Sequence, residues 1–138
     1  MKALLVDDEE FARQNLALLI NEYCPDIEIV GQAAGKEEAK AQIEKLSPDV
    51  LFLDIRMPSG SEGFELLEEI DNKKILVVFV TAFKDFAIKA FNANAIYYIL
   101  KPIDIDELQL AADKLKVALE LFKENPDNYN DYLNSLKN

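Results

Sequence analysis

Residues 50–54 read Val-Leu-Phe-Leu-Asp, a short unbroken run of apolar side chains that stops on a carboxylate. Runs of this kind are typical of parallel strands that are buried on both faces of a sheet. Three further runs also stop on polar residues: 3–6 before Asp7 and Asp8, 75–80 before Thr81, and 97–100 before Lys101 and Pro102. In an open α/β sheet, ligands bind beyond the carboxyl ends of the strands. The four stops therefore predict one sheet edge that binds a divalent cation and a phosphoryl group.

The apolar runs alternate with helical patterns, which indicates β–α units around a parallel sheet. We expect a doubly wound α/β fold with a five-stranded parallel sheet and five flanking helices. The predicted strands cover residues 2–6, 26–30, 50–53, 75–80 and 97–100, and the predicted helices cover residues 9–22, 36–46, 63–71, 84–93 and 104–124. The second strand is expected to end at Gly31. The first helix is expected to turn four apolar side chains inward: Phe11, Leu16, Leu19 and Ile20.

The last predicted helix carries two apolar stripes. Leu108 and Leu115 belong to the stripe that is expected to be buried. Leu110 and Val117 belong to a second, offset stripe, which either lies against a broad sheet face or the C-terminal tail or faces a partner. A chain of 138 residues fits one domain, which we place at 1–124. Residues 125–138 begin with a proline-containing break and are expected to form a linker or a short C-terminal helix.

Composition narrows the class of protein. There are 26 acidic and 15 basic residues, a formal charge of −11, so we expect no direct binding of nucleic acid by this segment. Cys24 is the only cysteine, which excludes an internal disulfide and favours a buried structural thiol. No apolar run approaches the roughly 20 residues of a membrane span, and we expect a cytoplasmic protein without membrane contact. Histidine is absent, so an imidazole would have to come from a partner.

The polar residues at the predicted edge suggest how the site works. Asp7, Asp8 and Asp54 would crowd like charges together, which should raise the pKa of at least one carboxyl group. A cation relieves this repulsion, and ligands that are all oxygen favour Mg²⁺. Lys101 supplies a counter-charge that could hold a phosphoryl group against the metal. The Lys101–Pro102 bond is a candidate for a cis peptide.

Four motifs carry a family resemblance: LLVDDEE (4–10), VLFLDIRMP (50–58), VVFVTAF (77–83) and YYILKP (97–102). In these motifs, over about residues 1–124, the chain resembles a response-regulator receiver domain of two-component signalling. The resemblance implies a flavodoxin-like, CheY-like fold with strand order 2-1-3-4-5. It also implies that Asp54 is the phospho-acceptor and that a sensor histidine kinase is the partner. Such a protein catalyses only its own Mg²⁺-dependent phosphorylation and dephosphorylation and is otherwise no enzyme.

The resemblance assigns roles to the other motif residues as well. Asp8, Asp54 and the backbone carbonyl of Arg56 would bind Mg²⁺, with Asp7 acting through water. Lys101 and Thr81 would bind the phosphoryl oxygens, and Thr81 with Tyr98 would form the switch. The face made by the fourth helix, fifth strand and last helix would then support a phosphorylation-enhanced homodimer. Arg56 and Phe83 occupy positions that tune dephosphorylation in the family.

The sequence indicates the effector that the receiver controls less clearly than it indicates the acceptor site. The segment from Thr81 to Pro102 resembles receivers attached to LytTR-type DNA-binding domains, which implies transcription regulation through a domain absent from this chain. The open alternative is a stand-alone or degenerate receiver that acts as an interaction module, although no acceptor-site group is lost. A haloacid-dehalogenase-like phosphatase would need an acid where Arg56 stands. Two departures from the family are a longer loop at 59–63 and a tyrosine, Tyr97, where an acid is common.

Overall fold

The structure is a computed structural model that describes residues 1–58, 60–70 and 74–124. Its centre is a five-stranded sheet in the order β2-β1-β3-β4-β5, in which all neighbouring strands are parallel. The strands are β1 (Lys2–Val6), β2 (Glu28–Ala33), β3 (Val50–Leu53), β4 (Leu76–Thr81) and β5 (Tyr97–Leu100). The three central strands are almost wholly buried, as their unbroken apolar runs predict. The predicted flavodoxin-like sheet and its strand order are confirmed.

Within the described residues, each strand is followed by an α-helix. These helices are α1 (Glu10–Tyr23), α2 (Lys36–Leu46), α3 (Glu62–Glu69), α4 (Ala87–Asn92) and α5 (Ile105–Glu124). One face of the sheet packs on α1 and α5 through Leu16, Ile20, Leu108 and Leu115. The opposite face packs on α2, α3 and α4 through Ile43, Phe64, Leu66 and Ala90. The sheet is therefore doubly wound, with helices packed on both of its faces.

The largest differences between predicted and observed boundaries lie in β2 and in the fourth helix. β2 continues past Gly31 to Ala33, because it pairs with β1 as far as the partners Val6 and Ala33. Gly31 does not end the strand; an added Cβ there would lie 2.8 Å from the Leu46 side chain, so the glycine admits α2 against the sheet. The predicted fourth helix is divided into a 3-10 turn over Lys84–Phe86 and the shorter α4.

The buried face of α1 was predicted wrongly at one position. Leu16 and Ile20 are 6% and 0% exposed, but Phe11 is 80% exposed. With 3.6 residues per turn, Phe11 lies about 140° around the helix from Leu16, so both cannot face the sheet. Helical periodicity therefore outweighs the hydrophobicity of an aromatic side chain here.

The expected burial of Leu108, Leu115 and Cys24 agrees with the structure. On α5, Leu108 and Leu115 are buried while Leu110 and Val117 are each 51% exposed. The Asp104 carboxylate caps α5 by accepting the amide hydrogen of Asp106 at 2.8 Å. Cys24 is buried. The part of the chain described here contains no helix that is both long and apolar enough to span a membrane. The expectation for 125–138 lies outside the described residues.

Candidate functional site

Three carboxylates meet at the carboxyl ends of β1 and β3. The Asp54 amide donates to the Val6 carbonyl at 3.0 Å, which keeps the end of β3 beside the end of β1. Asp7 and Asp54 are buried, whereas Asp8 is exposed. Carboxylate oxygens of Asp7, Asp8 and Asp54 all lie within 4.8 Å of one another. The structure thus brings together the acidic residues that the sequence placed at separate strand ends.

Lys101 lies between two of these carboxylates. Its Nζ donates to Asp7 Oδ2 at 2.7 Å and to Asp54 Oδ2 at 3.1 Å. The Lys101 amide donates to the Thr81 carbonyl at 2.8 Å, so the lysine is anchored at the end of β4. The peptide bond between Lys101 and Pro102 is cis. The predicted counter-charge is therefore in place at the acidic cluster.

The electrostatics of the cluster follow from burial and crowding. Burial raises the pKa of Asp54, although the charge of Lys101 and a hydrogen bond with Thr81 oppose the shift. Partial burial and the charge of Asp7 raise the pKa of Asp8. Burial alone would lower the pKa of Lys101, but its hydrogen bond to Asp7 and the charge of Asp54 outweigh burial and raise it. The pKa of at least one carboxyl group is raised, as expected, but burial is the larger cause and the charge of Asp7 adds to it.

The donor set is suited to a small, hard cation. Opposite ligands of an octahedral Mg²⁺ ion lie about 4.2 Å apart, because each Mg–O distance is about 2.1 Å. The spacing of the carboxylate oxygens, within 4.8 Å, is close to that requirement. Because the pKa values of Asp8 and Asp54 are raised, an added positive charge at the cluster would stabilise their ionised forms. The residues present therefore fit a divalent cation with oxygen ligands.

Aromatic side chains border the acidic cluster. The Arg56 guanidinium lies over the Phe83 ring at 4.2 Å, a cation–π contact that sequence analysis did not anticipate. The Phe83 amide donates to Thr81 Oγ1 at 3.4 Å, and the Tyr98 hydroxyl donates to the Phe83 carbonyl. Phe83 thus joins three of the predicted site residues. The one signal available in sequence is that Arg56 and Phe83 each lie two residues past a strand-end polar group.

The loop after β3 is held by two neighbouring residues at the start of α3. The Gly63 amide donates to the Ile55 carbonyl at 2.8 Å. A Cβ added at Gly63 would lie 2.4 Å from the Asp54 carbonyl oxygen, so only glycine allows this approach. Glu62 accepts hydrogen bonds from the amides of Met57 and Gly60 at 3.0 and 2.7 Å. The unusual length of this loop is evident from the sequence, but no role was predicted for Glu62 or Gly63.

A pocket of about 580 Å³ opens above the cluster. Asp54 and Lys101 line it together with the side chains of Phe11, Phe83 and Ile103. An incoming group can therefore reach Asp54 from solvent past an apolar wall. This position also explains why Phe11, at the first turn of α1, does not contribute to the core.

The fold and site define a doubly wound α/β protein whose acidic sheet edge could hold a metal ion beside Lys101. The family model for the response regulator receiver domain matches residues 3–113, and the chain belongs to this family. Receiver domains are the components of two-component signalling that histidine kinases phosphorylate.

Individual relatives support the same assignment. A response regulatory protein of Vibrio cholerae serotype O1 is 47% identical over 116 residues, which cover 83% of this chain and 48% of the relative. The transcriptional regulatory protein BtsR of Escherichia coli K12 is 45% identical over 117 residues, or 84% and 48% of the two chains. The solved response regulatory domain of mrkE from Klebsiella pneumoniae is 36% identical, with a TM-score of 0.77 over 87% of this chain and 98% of that one. The chain thus spans about half the length of these two curated relatives.

Proposed function

We propose that Asp54 accepts a phosphoryl group from the phosphohistidine of a partner sensor histidine kinase. The observation that supports this most strongly is the position of Lys101, 2.7 Å from Asp7 and 3.1 Å from Asp54. An ammonium held between buried carboxylates can bind the oxygens of an incoming phosphoryl group without moving far. The donor imidazole must lie outside residues 1–138, which contain no histidine.

Mg²⁺ is the proposed cofactor. Asp8, Asp54 and the backbone carbonyl of Arg56 would hold it, and Asp7 would contribute through a water molecule. When bound, the ion neutralises negative charge that gathers on the oxygens of the transferred group. The chain's own residues supply the nucleophile, the second positive charge and a hydroxyl donor.

The proposed transfer is a displacement at phosphorus. A carboxylate oxygen of Asp54 forms a bond to phosphorus while the bond from phosphorus to the donor nitrogen breaks, and the imidazole leaves with that electron pair. Lys101 and Thr81 stabilise the equatorial oxygens. Attack by water on the same phosphorus later returns the carboxylate and inorganic phosphate. The chain is therefore proposed to catalyse its own phosphorylation and dephosphorylation and to act on no separate substrate.

Small-molecule phosphorylation tests the acceptor. Phosphoramidate, whose P–N bond resembles that of phosphohistidine, should add one acid-labile phosphoryl group in the presence of Mg²⁺, measured by intact-mass spectrometry. Asp54→Asn should abolish this uptake, whereas Asp113→Asn on the exposed surface of α5 should not alter it. Equal uptake by the Asp54→Asn variant would show that the acceptor is another residue.

We propose that phosphorylation moves Thr81 and Tyr98 and promotes a homodimer through the α4-β5-α5 face. Exposed apolar side chains on these three elements support the proposal: Ile88, Phe91, Leu100, Leu110 and Val117. Light scattering with and without a phosphate mimic measures the expected rise in mass. Leu110→Ser should weaken the dimer, whereas Leu18→Ser, which changes a similarly exposed leucine on α1, should not. A monomer under both conditions would refute this output.

We also propose that this receiver, residues 1–124, controls a LytTR-type DNA-binding domain in a cytoplasmic transcription regulator, with 125–138 as the linker or a short helix. Two observations support this proposal. The BtsR relatives are named transcriptional regulatory proteins, and they are about twice as long as the matched region. Because the formal charge is −11, the chain alone should not shift promoter DNA in a gel at low salt. A specific shift by this chain would contradict the proposal.

A further inference from the structure

We infer that Glu62 is a positioning residue for the metal ligand supplied by the Arg56 carbonyl, an inference that rests on the proposed Mg²⁺ site. Glu62 Oε1 accepts the amide hydrogen of Met57 at 3.0 Å. That amide and the Arg56 carbonyl belong to one peptide group, which is not among the two cis bonds of the described chain. In a planar trans peptide the N–H and C=O point in opposite directions. Holding the Met57 amide toward Glu62 therefore fixes the direction in which the Arg56 carbonyl points.

The Glu62 carboxylate also fixes the far side of the same loop. The Gly60 amide donates to Glu62 Oε1 at 2.7 Å and to Oε2 at 2.8 Å. Bonds from neutral amides to an ionised carboxylate are among the stronger hydrogen bonds of proteins. One side chain thus holds peptide groups on both sides of Pro58, which limits the rotation of the peptide that carries the predicted metal ligand.

The backbone next to Glu62, at the start of α3, is packed closely against the end of β3. The neighbouring Gly63 lies so close to β3 that an added Cβ would meet the Asp54 carbonyl oxygen at 2.4 Å and the Ile55 Cα at 3.0 Å. The Gly63 amide also donates to the Ile55 carbonyl at 2.8 Å. The start of α3 is therefore fixed against the backbone of the acceptor aspartate. Asp54 and the Arg56 carbonyl are held relative to each other by two consecutive residues.

A purely structural role for Glu62 makes a different prediction from a positioning role. If Glu62 only stabilised the loop, a role we call a loop clamp, its removal would destabilise the fold without changing the affinity for Mg²⁺. A residue that orients a ligand changes metal affinity about 10–100-fold when it is removed. The structural role and the positioning role can be distinguished by measuring Mg²⁺ affinity and, separately, the stability of the metal-free protein.

The experiment uses Glu62→Ala, Glu62→Gln and a control, Glu68→Gln, at an exposed position of the same helix. The Mg²⁺ dissociation constant is measured by NMR titration, and the melting temperature is recorded without Mg²⁺. Glu62→Ala should raise the dissociation constant about 10–100-fold. Glu62→Gln keeps an oxygen acceptor and should lie close to the Glu68→Gln control. At saturating Mg²⁺, the Glu62→Ala variant should recover most of its phosphorylation rate.

Several results would overturn the inference. If Glu62→Ala lowered only the melting temperature and left Mg²⁺ affinity at the control value, Glu62 would be a loop clamp. If Ala and Gln weakened binding equally and beyond the control, the charge of Glu62 and not its hydrogen bonds would be responsible. Wild-type protein that bound no Mg²⁺, or bound it unchanged in Asp54→Asn, would instead refute the proposed metal site, and the inference with it.

Discussion

Substituting Gly63 by alanine should damage both the fold and the site. The new Cβ would lie 2.4 Å from the Asp54 carbonyl oxygen and 3.2 Å from its carbonyl carbon. Even close C···O contacts in proteins are about 3.3 Å, so α3 or the backbone after β3 must move by nearly 1 Å. Overpacking costs about 1–3 kcal/mol, and we expect the upper end because the obstructing atoms are backbone atoms. A loss of about 3 kcal/mol should lower the melting temperature by about 10 °C.

The same displacement should slow phosphorylation. A misplacement of about 1 Å in a reacting group can cost about 10²-fold in rate, and the Asp54 backbone is among the groups that must give way. Urea unfolding followed by circular dichroism measures the stability, and phosphoramidate uptake measures the rate. Gly35→Ala is the matched control, because a Cβ at Gly35 meets nothing within 4 Å. If the two variants lost similar stability, or if Gly63→Ala stayed within about 0.5 kcal/mol of wild type, the close packing described here would be wrong.

Three further perturbations test separate parts of the structure. Lys101→Met leaves Asp7 and Asp54 without their counter-charge and should lower the free energy of unfolding in urea by about 2 kcal/mol at pH 7. Added Mg²⁺ should restore part of this stability. An unchanged free energy of unfolding would mean that the ion pairs do not stabilise the fold. Burial and then the charge of Asp113 raise the pKa of Cys24, so at pH 8 the folded thiol should react with Ellman's reagent far more slowly than in urea. The stability from that protonated thiol is present below the unfolded pKa of about 8.5 and falls as pH rises further, a trend that Cys24→Ala should remove. Tyr98→Phe deletes the hydrogen bond to the Phe83 carbonyl and should cost about 0.5–1 kcal/mol while weakening phosphorylation-dependent dimerisation; unchanged dimerisation would exclude Tyr98 from the switch.

The sequence was most informative where chemistry and topology coincide. Asp7, Asp54 and Lys101 could be brought together in advance, because the carboxyl ends of parallel strands share one edge. The end of β2 could not be read from Gly31, since pairing with β1 and the approach of α2 decide it. Phe11 was wrongly predicted to be buried, because hydrophobicity alone does not determine which face of α1 a residue occupies.

Contacts made by loops escaped prediction for a different reason. The Arg56–Phe83 stack and the Glu62 hydrogen bonds depend on side-chain directions in segments without a repeating period. Strand and helix periodicities indicate which face a residue occupies, but a loop has no equivalent rule. The residues that hold and surround the site are therefore harder to identify from sequence than the residues that form it.

Phe83 connects the proposed acceptor site to the proposed output face. Its amide makes a long, 3.4 Å hydrogen bond to Thr81 Oγ1, its carbonyl accepts the Tyr98 hydroxyl, and its ring lies under the Arg56 guanidinium. The bond to Thr81 is the weakest by length, so little is lost if Thr81 Oγ1 moves away from the Phe83 amide to donate its hydrogen to a phosphoryl oxygen on Asp54. Once released from Thr81, the Phe83 backbone could move, and its carbonyl, which accepts the Tyr98 hydroxyl, would move with it. A local change at the buried strand ends would then reach β5 through one residue, since a shift of population needs only a difference in contacts between two states.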